Sequence, residues 1–110
     1  LEAMGRSFTV CDDLDEALAT DDAVYLQRLQ DEYGGGDAQQ HEQALELLRL
    51  TPERMAKLPE HAVVLHPLPR RREIDPTTDH DPRAGWWETV RHGRFVRTAL
   101  LEALQPETPS

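Results

Sequence analysis

The chain contains the segment VVLHPLPRRREI at residues 63–74, in which an apolar run leads directly into two prolines one residue apart. The apolar residues are typical of a buried strand. Proline has no N–H group to donate, and Pro69 favours extended geometry at Leu68. The strand is therefore predicted to end in carbonyl groups that can accept hydrogen bonds from the amine or amide of a ligand.

Three segments have the composition of strands. They lie at residues 7–11, 23–26 and 61–68, and the third is apolar enough to be covered on both faces, as parallel strands usually are. Helical segments alternate with them. This order predicts an α/β fold, a partial doubly wound parallel sheet of about three strands with flanking helices and a long C-terminal helix. Cys11, in the first of these strands, is predicted to be a buried thiol.

The helices are predicted from their caps and from the spacing of apolar residues. The first covers residues 14–19 after a capping aspartate, and the third begins at Pro52 after a capping hydroxyl. The second, at residues 43–50, is either a short helix or a helix that runs into extended chain. A polar loop at residues 73–83 leads into a long helix at about residues 82–104. This last helix is expected to need a covering surface for its apolar stripe. The stripe consists of Trp86, Trp87, Val90, Val96, Leu100, Leu101 and Leu104.

Composition limits the class of protein. The 110 residues are enough for one domain at most, and their net charge is −9. Residues 1–50 hold 12 acids and three arginines, which argues against nucleic acid as a partner. No apolar run has the length of a membrane span, so no membrane partner is predicted. The single cysteine provides neither a disulfide nor a metal framework, and we predict a cytoplasmic protein.

Polar residues follow two of the predicted strands at their carboxyl ends, at residues 27–30 and 66–70. Ligands of open parallel sheets bind beyond these ends, so we expect the two segments to converge on one crevice. Three consecutive arginines begin at the end of the second segment. Arg70 is a candidate for holding an anionic ligand, whereas Arg71 and Arg72 are predicted to lie in a solvated turn.

Several motifs resemble the C-terminal domain of aspartate carbamoyltransferase catalytic chains, in the aspartate/ornithine carbamoyltransferase family. The motifs are LHPLPR with EI at residues 65–74, DAVYLQRLQ at 22–30, LTPERM at 50–55, and DPRA with the helix that follows it at 81–101. Pro67 favours the aspartate enzyme, because ornithine-type enzymes usually have cysteine there. The resemblance covers most of this chain but roughly the last third of such a catalytic chain.

The resemblance implies part of an enzyme that transfers the carbamoyl group from carbamoyl phosphate to L-aspartate in pyrimidine biosynthesis, without a metal or cofactor. It implies that the carbonyls of Pro67 and Leu68 accept hydrogen bonds from the carbamoyl amide. Arg28 is implied to bind an aspartate carboxylate with help from Gln30. No residue of this chain is assigned a catalytic or metal-binding role. The Leu68–Pro69 peptide bond is implied to be cis, and His66 is a structural neighbour of the site.

The resemblance also implies how the protein is organised. Residues 1–81 are predicted to be part of the aspartate-binding domain, and residues 82–110 to be a C-terminal helix that packs on an N-terminal domain. The phosphate-gripping loop of the family lies in that N-terminal domain. We therefore expect a complementary N-terminal carbamoyl phosphate domain or chain, a homo-oligomer (a trimer in the family), and no activity from this chain alone. The start at Leu1, directly before a predicted strand, is expected to reflect a fragment or one chain of a larger assembly.

Three residues near Arg28 depart from the family pattern. Gln27 replaces the usual threonine, Asp31 stands where lysine is common, and Tyr33 stands where arginine is common. An acid beside the aspartate-binding segment is expected to repel a dicarboxylate. Two alternatives therefore stand beside the enzyme hypothesis: a non-catalytic carbamoyltransferase-like subunit or remnant that serves assembly, and a carbamoyltransferase for another amine.

Overall fold

The computed structural model describes residues 2–28 and 38–106 of the chain. Helices and strands alternate in this part. The helices are α1 (Leu14–Thr20), α2 (Ala38–Leu48), α3 (Pro52–Met55) and α4 (Trp86–Leu104), the strands are β1 (Ala23–Tyr25) and β2 (Val63–Leu65), and short 3-10 helices cover Glu2–Met4 and Pro76–His80. The α/β class and the long C-terminal helix are confirmed.

Strands β1 and β2 form a parallel pair, as predicted. Ala23 lies opposite Val63 and Tyr25 lies opposite Leu65. The N–H of Leu26 continues the ladder by donating to the carbonyl of Leu65 at 2.9 Å. The carboxyl ends of both strands therefore meet at one edge of the sheet.

The predicted strand at residues 7–11 was wrong. Residues 6–11 form no strand, and their side chains are exposed, with Val10 at 81%. An alternating pattern makes a strand only when another strand pairs with it, and the described part of the chain supplies no such partner. The sheet consequently has two strands there instead of about three. Cys11 is exposed rather than buried, and its Sγ donates to the carbonyl of Asp13 at 3.1 Å.

The predicted helix starts are confirmed by their caps. The Asp13 carboxylate accepts the N–H of Asp15 at 2.9 Å at the start of α1. The Thr51 hydroxyl accepts the N–H of Arg54 at 3.4 Å, and Pro52 occupies the first turn of α3. Helix α2 covers residues 38–48 instead of 43–50, and α3 ends at Met55, after which turns with i→i+3 hydrogen bonds follow.

The hydrophobic core is built from residues of α1, α3, β2 and α4 and of the segments between them. Its buried members are Leu18, Leu50, Met55, Leu58, Ala62, Val64, Ile74 and Trp86. Leu50 also fixes the chain after the proline motif, because its N–H donates to the carbonyl of Glu73 at 2.8 Å and its carbonyl accepts the N–H of Asp75 at 2.9 Å. The proline segment is thus held at both ends, by β2 before it and by this short parallel bridge after it.

Helix α4 begins at Trp86, four residues later than predicted, after a turn that lies along β2. The N–H of Gly85 donates to the carbonyl of Val64 at 2.8 Å. A side chain at Gly85 would bring its Cβ within 2.6 Å of a methyl group of Val63, so this close approach requires glycine. Of the predicted apolar stripe only Trp86 is buried, and the remaining members are exposed in the described structure. No helix of the described residues is long and apolar enough to cross a membrane.

Candidate functional site

The candidate site is the edge where the two parallel strands end. Arg28 follows the end of β1 by three residues, and Leu68 follows the end of β2 by three residues. Since Tyr25 and Leu65 are register partners, the two segments leave the sheet side by side. The starts of both segments therefore lie at one edge of the sheet, and residues 29 and 30 of the first segment lie outside the described residues.

The turn after β2 has an unusual backbone. The Leu68–Pro69 peptide bond is cis, as the resemblance implies. The predicted extended geometry at Leu68 was wrong, because its φ is +48°, in the left-handed region that few residues other than glycine adopt. Within residues 2–28 and 38–106, the carbonyls of Pro67 and Leu68 accept no hydrogen bond. Both oxygens can therefore serve as acceptors for a ligand.

Two buried polar side chains lie directly behind this turn. Nδ1 of His66 accepts the N–H of Leu68 at 2.9 Å, and Nε2 of His66 lies 2.8 Å from Oε1 of Glu73. The other oxygen of Glu73 accepts the N–H of Arg71 at 3.1 Å. His66 is fully buried and Glu73 nearly so. His66 is thus a structural neighbour of the turn, in agreement with its sequence interpretation.

Arg28 is the basic side chain of the β1 segment. It is partly buried, and it forms no ion pair with any residue in the described part of the chain. Its Nε is buried and has no hydrogen-bond partner there. A guanidinium with unused donors in a fixed planar fork is well suited to bind a carboxylate. Gln27 is exposed beside it, and Gln30 lies outside the described residues, as do Asp31 and Tyr33.

The structure does not support Arg70 as an anion-binding residue. Both of its Nη atoms donate to the Asp79 carboxylate, with Nη2 and Oδ2 2.6 Å apart, and its guanidinium lies 5.5 Å from the centre of the Trp87 ring. This hydrogen bonding raises the pKa of Arg70 and lowers the pKa of Asp79 below its ordinary value. Arg72 forms an exposed ion pair with Glu42 at 2.7 Å, consistent with a solvated turn.

Sequence reasoning missed the roles of Glu73 and Asp79. Glu73 belongs to the quoted motif, but a spacing of seven residues from His66 carries no signal of contact in a turn. Asp79 was placed in an unstructured polar loop, whereas residues 76–80 form a 3-10 helix capped by Asp75. Among the described residues, no group of three or more His, Cys, Asp or Glu side chains is arranged to hold a metal ion.

Comparison with known proteins places these features in a family. The family model for the aspartate/ornithine carbamoyltransferase Asp/Orn-binding domain matches residues 1–104. This chain belongs to that family. The matched segment includes both strands, the cis-proline turn and helix α4, so the resemblance drawn from the motifs is confirmed.

Three similar proteins make the assignment more specific. Aspartate carbamoyltransferase 1, chloroplastic, of Pisum sativum is 34% identical over 94% of this chain and 27% of its own length. The aspartate carbamoyltransferase catalytic subunit of Methanospirillum hungatei is 37% identical over 92% of this chain and 34% of its own length. The structure of aspartate transcarbamoylase from Trypanosoma cruzi with N-(phosphonacetyl)-L-aspartic acid is 38% identical, with a TM-score of 0.72, over 79% of this chain and 27% of that chain.

These comparisons identify the aspartate branch and the C-terminal domain of the catalytic chain, and they do not favour the alternative of a subunit that serves assembly alone. The chain spans 27% and 34% of the length of the two curated relatives described above.

Proposed function

We propose that this chain is part of an aspartate carbamoyltransferase, which transfers the carbamoyl group of carbamoyl phosphate to L-aspartate in pyrimidine biosynthesis. The observation that carries the proposal is the pairing of two features at one sheet edge. In the described part of the chain, carbonyls that accept no hydrogen bond follow β2 in the cis-proline turn, and an arginine without an ion-pair partner follows β1. Together they offer acceptors for an amide and donors for a carboxylate.

The proposed mechanism uses this chain for orientation. The carbonyls of Pro67 and Leu68 accept hydrogen bonds from the carbamoyl NH2 group and fix the face of the carbamoyl carbon. Arg28 binds a carboxylate of aspartate and directs its amine toward that carbon. The amine nitrogen then bonds to the carbon, the bond from the carbon to the phosphate oxygen breaks, and the proton that the amine gives up leaves with the phosphate as hydrogen phosphate. Holding both reactants in this geometry is itself a large part of the rate enhancement.

Gln30 is proposed to assist Arg28 in binding aspartate. The proposal for Gln30 is supported by its position in the matched DAVYLQRLQ motif alone. In the proposed mechanism Gln30 supplies an amide donor to the same substrate, two residues after the guanidinium.

The remaining groups of the site are proposed to come from a carbamoyl phosphate-binding portion. We call this chain together with that portion, on the same polypeptide or on another, the assembled enzyme. Phosphate leaves as a multiply charged anion that requires cations or oriented N–H donors, and Arg70, which directly follows the cis-proline, is paired with Asp79. The chain alone is therefore proposed to be inactive, and the assembled enzyme to be a homo-oligomer, trimeric as in the family.

The domain division is proposed from helix α4. Residues 1–81 would be part of the aspartate-binding domain, and residues 82–110 would carry the helix to an N-terminal domain. The support is the apolar face of α4 beyond Trp86, which the described residues leave uncovered. Burial of such side chains is worth about 1.5–3 kcal/mol each.

The cytoplasm is the proposed compartment. Its support is the exposed thiol of Cys11, which persists unmodified in a reducing environment. The Pisum sativum relative is named as chloroplastic, so cell fractionation is the direct measurement.

The test is formation of carbamoyl-aspartate by the assembled enzyme, together with binding of N-(phosphonacetyl)-L-aspartate. We expect saturable binding that Arg28→Ala weakens by ~10–100-fold, because a charged hydrogen-bonded pair is lost. Arg6→Ala is the matched control, since Arg6 is an exposed arginine that belongs to neither segment of the candidate site. An assembled enzyme that forms no carbamoyl-aspartate, or that binds the phosphonate equally with Arg28→Ala, contradicts the proposal.

A further inference from the structure

A chain of three linked hydrogen bonds joins the backbone of the cis-proline turn to two buried side chains. It runs from the N–H of Leu68 to His66, from His66 to Glu73, and from the N–H of Arg71 to Glu73, over 2.9, 2.8 and 3.1 Å. The described residues bury three polar or charged side chains in all, and two of them belong to this chain of bonds. Burying a polar group costs free energy unless the group forms hydrogen bonds, so the folded turn requires these contacts.

The partners define the protonation of the imidazole. Nδ1 faces an N–H donor, so it carries a lone pair, and the ring proton is on Nε2. Nε2–H then donates to Oε1 of Glu73, whose Oε2 accepts the N–H of Arg71. Glu73 accepts at both oxygens and therefore acts as a carboxylate. His66 and Glu73 each have one protonation state that satisfies all three hydrogen bonds.

This arrangement sets the direction of the Pro67 carbonyl, which is proposed to accept a hydrogen bond from the substrate. The N–H of Leu68 and the carbonyl of Pro67 belong to the same planar trans peptide unit, in which the two groups point in opposite directions. By holding that N–H, Nδ1 of His66 aims the Pro67 carbonyl away from the core. Pro67 and Pro69 have no N–H of their own, so the turn has few other donors by which it can be held.

We infer that His66 and Glu73 form a positioning pair that orients the Pro67 carbonyl toward the carbamoyl amide. This inference rests on the proposed function. The pair touches no substrate in this scheme and transfers no proton. Its effect is on the affinity for carbamoyl phosphate, because a misdirected carbonyl loses its hydrogen bond to the carbamoyl NH2 group.

Two substitutions at His66 separate positioning from packing in the assembled enzyme. His66→Asn retains an acceptor near the place of Nδ1, whereas His66→Gln retains a donor near the place of Nε2 and leaves the Leu68 N–H without an acceptor. We expect His66→Gln to raise the dissociation constant for carbamoyl phosphate by ~10-fold or more, and His66→Asn to raise it by less than about 3-fold. The KM for aspartate should change less in both. The control is His61→Gln, on an exposed histidine paired with Asp22.

Glu73→Gln tests the other half of the pair. A neutral amide has one acceptor oxygen, so it cannot accept from both His66 and Arg71. We expect a loss of carbamoyl phosphate affinity that is smaller than that of His66→Gln, because the remaining amide oxygen can still accept from Nε2–H of His66 and hold the ring. Equal effects of His66→Asn and His66→Gln, or unchanged affinity in Glu73→Gln, overturn the inference.

Nitrogen-15 NMR of His66 provides a readout that does not depend on activity. The expected spectrum is that of a neutral ring protonated on Nε2, and a ring protonated on Nδ1 overturns the inference. If the parent assembled enzyme binds no carbamoyl phosphate, the proposed function fails. In that case the NMR spectrum and the Leu68 amide exchange rate, expected to rise by ~10-fold in His66→Gln but not in His66→Asn, still decide whether the pair holds the turn.

Discussion

Arg70 and Asp79 form a two-point ion pair across the turn that follows the cis-proline, with Nη2 of Arg70 2.6 Å from Oδ2 of Asp79. Both side chains are largely buried, and the guanidinium also lies over the Trp87 ring. The pair therefore ties the proline segment to the 3-10 helix that precedes α4. Arg70 acts as a clamp within the fold, although the sequence made it a candidate for an anionic ligand.

The clamp predicts a pH dependence of stability. Arg70 lowers the pKa of Asp79 in the folded chain, so the stabilisation is present above the ordinary aspartate pKa of about 3.9 and is lost as the pH falls through the folded value. We expect Asp79→Asn to lower the urea midpoint at pH 7 and to differ less from the parent as the pH approaches 3. Tryptophan fluorescence reports the unfolding through buried Trp86.

Asp21→Asn is the matched control for the clamp, because Asp21 is an exposed aspartate at the end of α1. Its midpoint should follow that of the parent at every pH. A constant difference between Asp79→Asn and the parent from pH 7 to pH 3 would show that the carboxylate charge is not what stabilises the turn.

The substitution Arg28→Lys is expected to weaken the binding of aspartate much more than that of carbamoyl phosphate. Lysine retains the positive charge but lacks the planar fork that binds a carboxylate at two points. In the assembled enzyme we expect the KM for aspartate to rise by ~10-fold, with a much smaller change in the KM for carbamoyl phosphate. Steady-state kinetics with each substrate varied in turn measures both. A similar rise in the two constants would contradict the assignment of Arg28 to aspartate.

The features that the sequence predicted correctly depend on local chemistry. Strand β2, the caps Asp13 and Thr51, and the prolines of the turn each act within a few residues. The strand at residues 7–11 was wrong because a strand requires a partner, which local alternation does not reveal. The roles of Glu73 and Asp79 depend on how the cis-proline turn folds back, and no spacing rule describes that path.

The positions of the apolar residues around helix α4 predict which side of the helix packs on another domain. At about 100° per residue, Leu101 lies within about 60° of the buried Trp86 around the helix axis, and Phe95 lies about 180° from it. Leu101 and Phe95 are similarly exposed, at 66% and 57%. If α4 packs on an N-terminal domain along the Trp86 side, Leu101→Glu should destabilise the assembled enzyme by about 1.5–3 kcal/mol, and Phe95→Glu should have little effect. Urea denaturation of the assembled enzyme compares the two variants. A larger loss of stability in Phe95→Glu would show that α4 packs through the side opposite Trp86.

Arg54 connects three helices through its guanidinium. Its Nε donates to the Asp15 carboxylate of α1 at 3.1 Å, and its Nη1 donates to the carbonyls of Glu46 and Arg49 at 3.0 and 2.6 Å. Those carbonyls lie at the end of α2. The carbonyls in the last turn of a helix have no N–H donor within the helix. The side chain thus satisfies the end of α2 and joins it to α1 and α3.

Arg54→Met keeps the apolar stem and removes these donors. We expect it to destabilise the chain by about 1–3 kcal/mol, because the carbonyls of Glu46 and Arg49 lose their hydrogen bonds and the bond to Arg49 is partly buried. Lys57→Met is the matched control, since Lys57 contacts the same carboxylate of Asp15 at 3.0 Å but is more exposed. Its loss should be smaller because exposed ion pairs contribute little. Equal urea midpoints for the two variants would mean that the bond to Asp15, rather than the bonds to the end of α2, gives Arg54 its effect on stability.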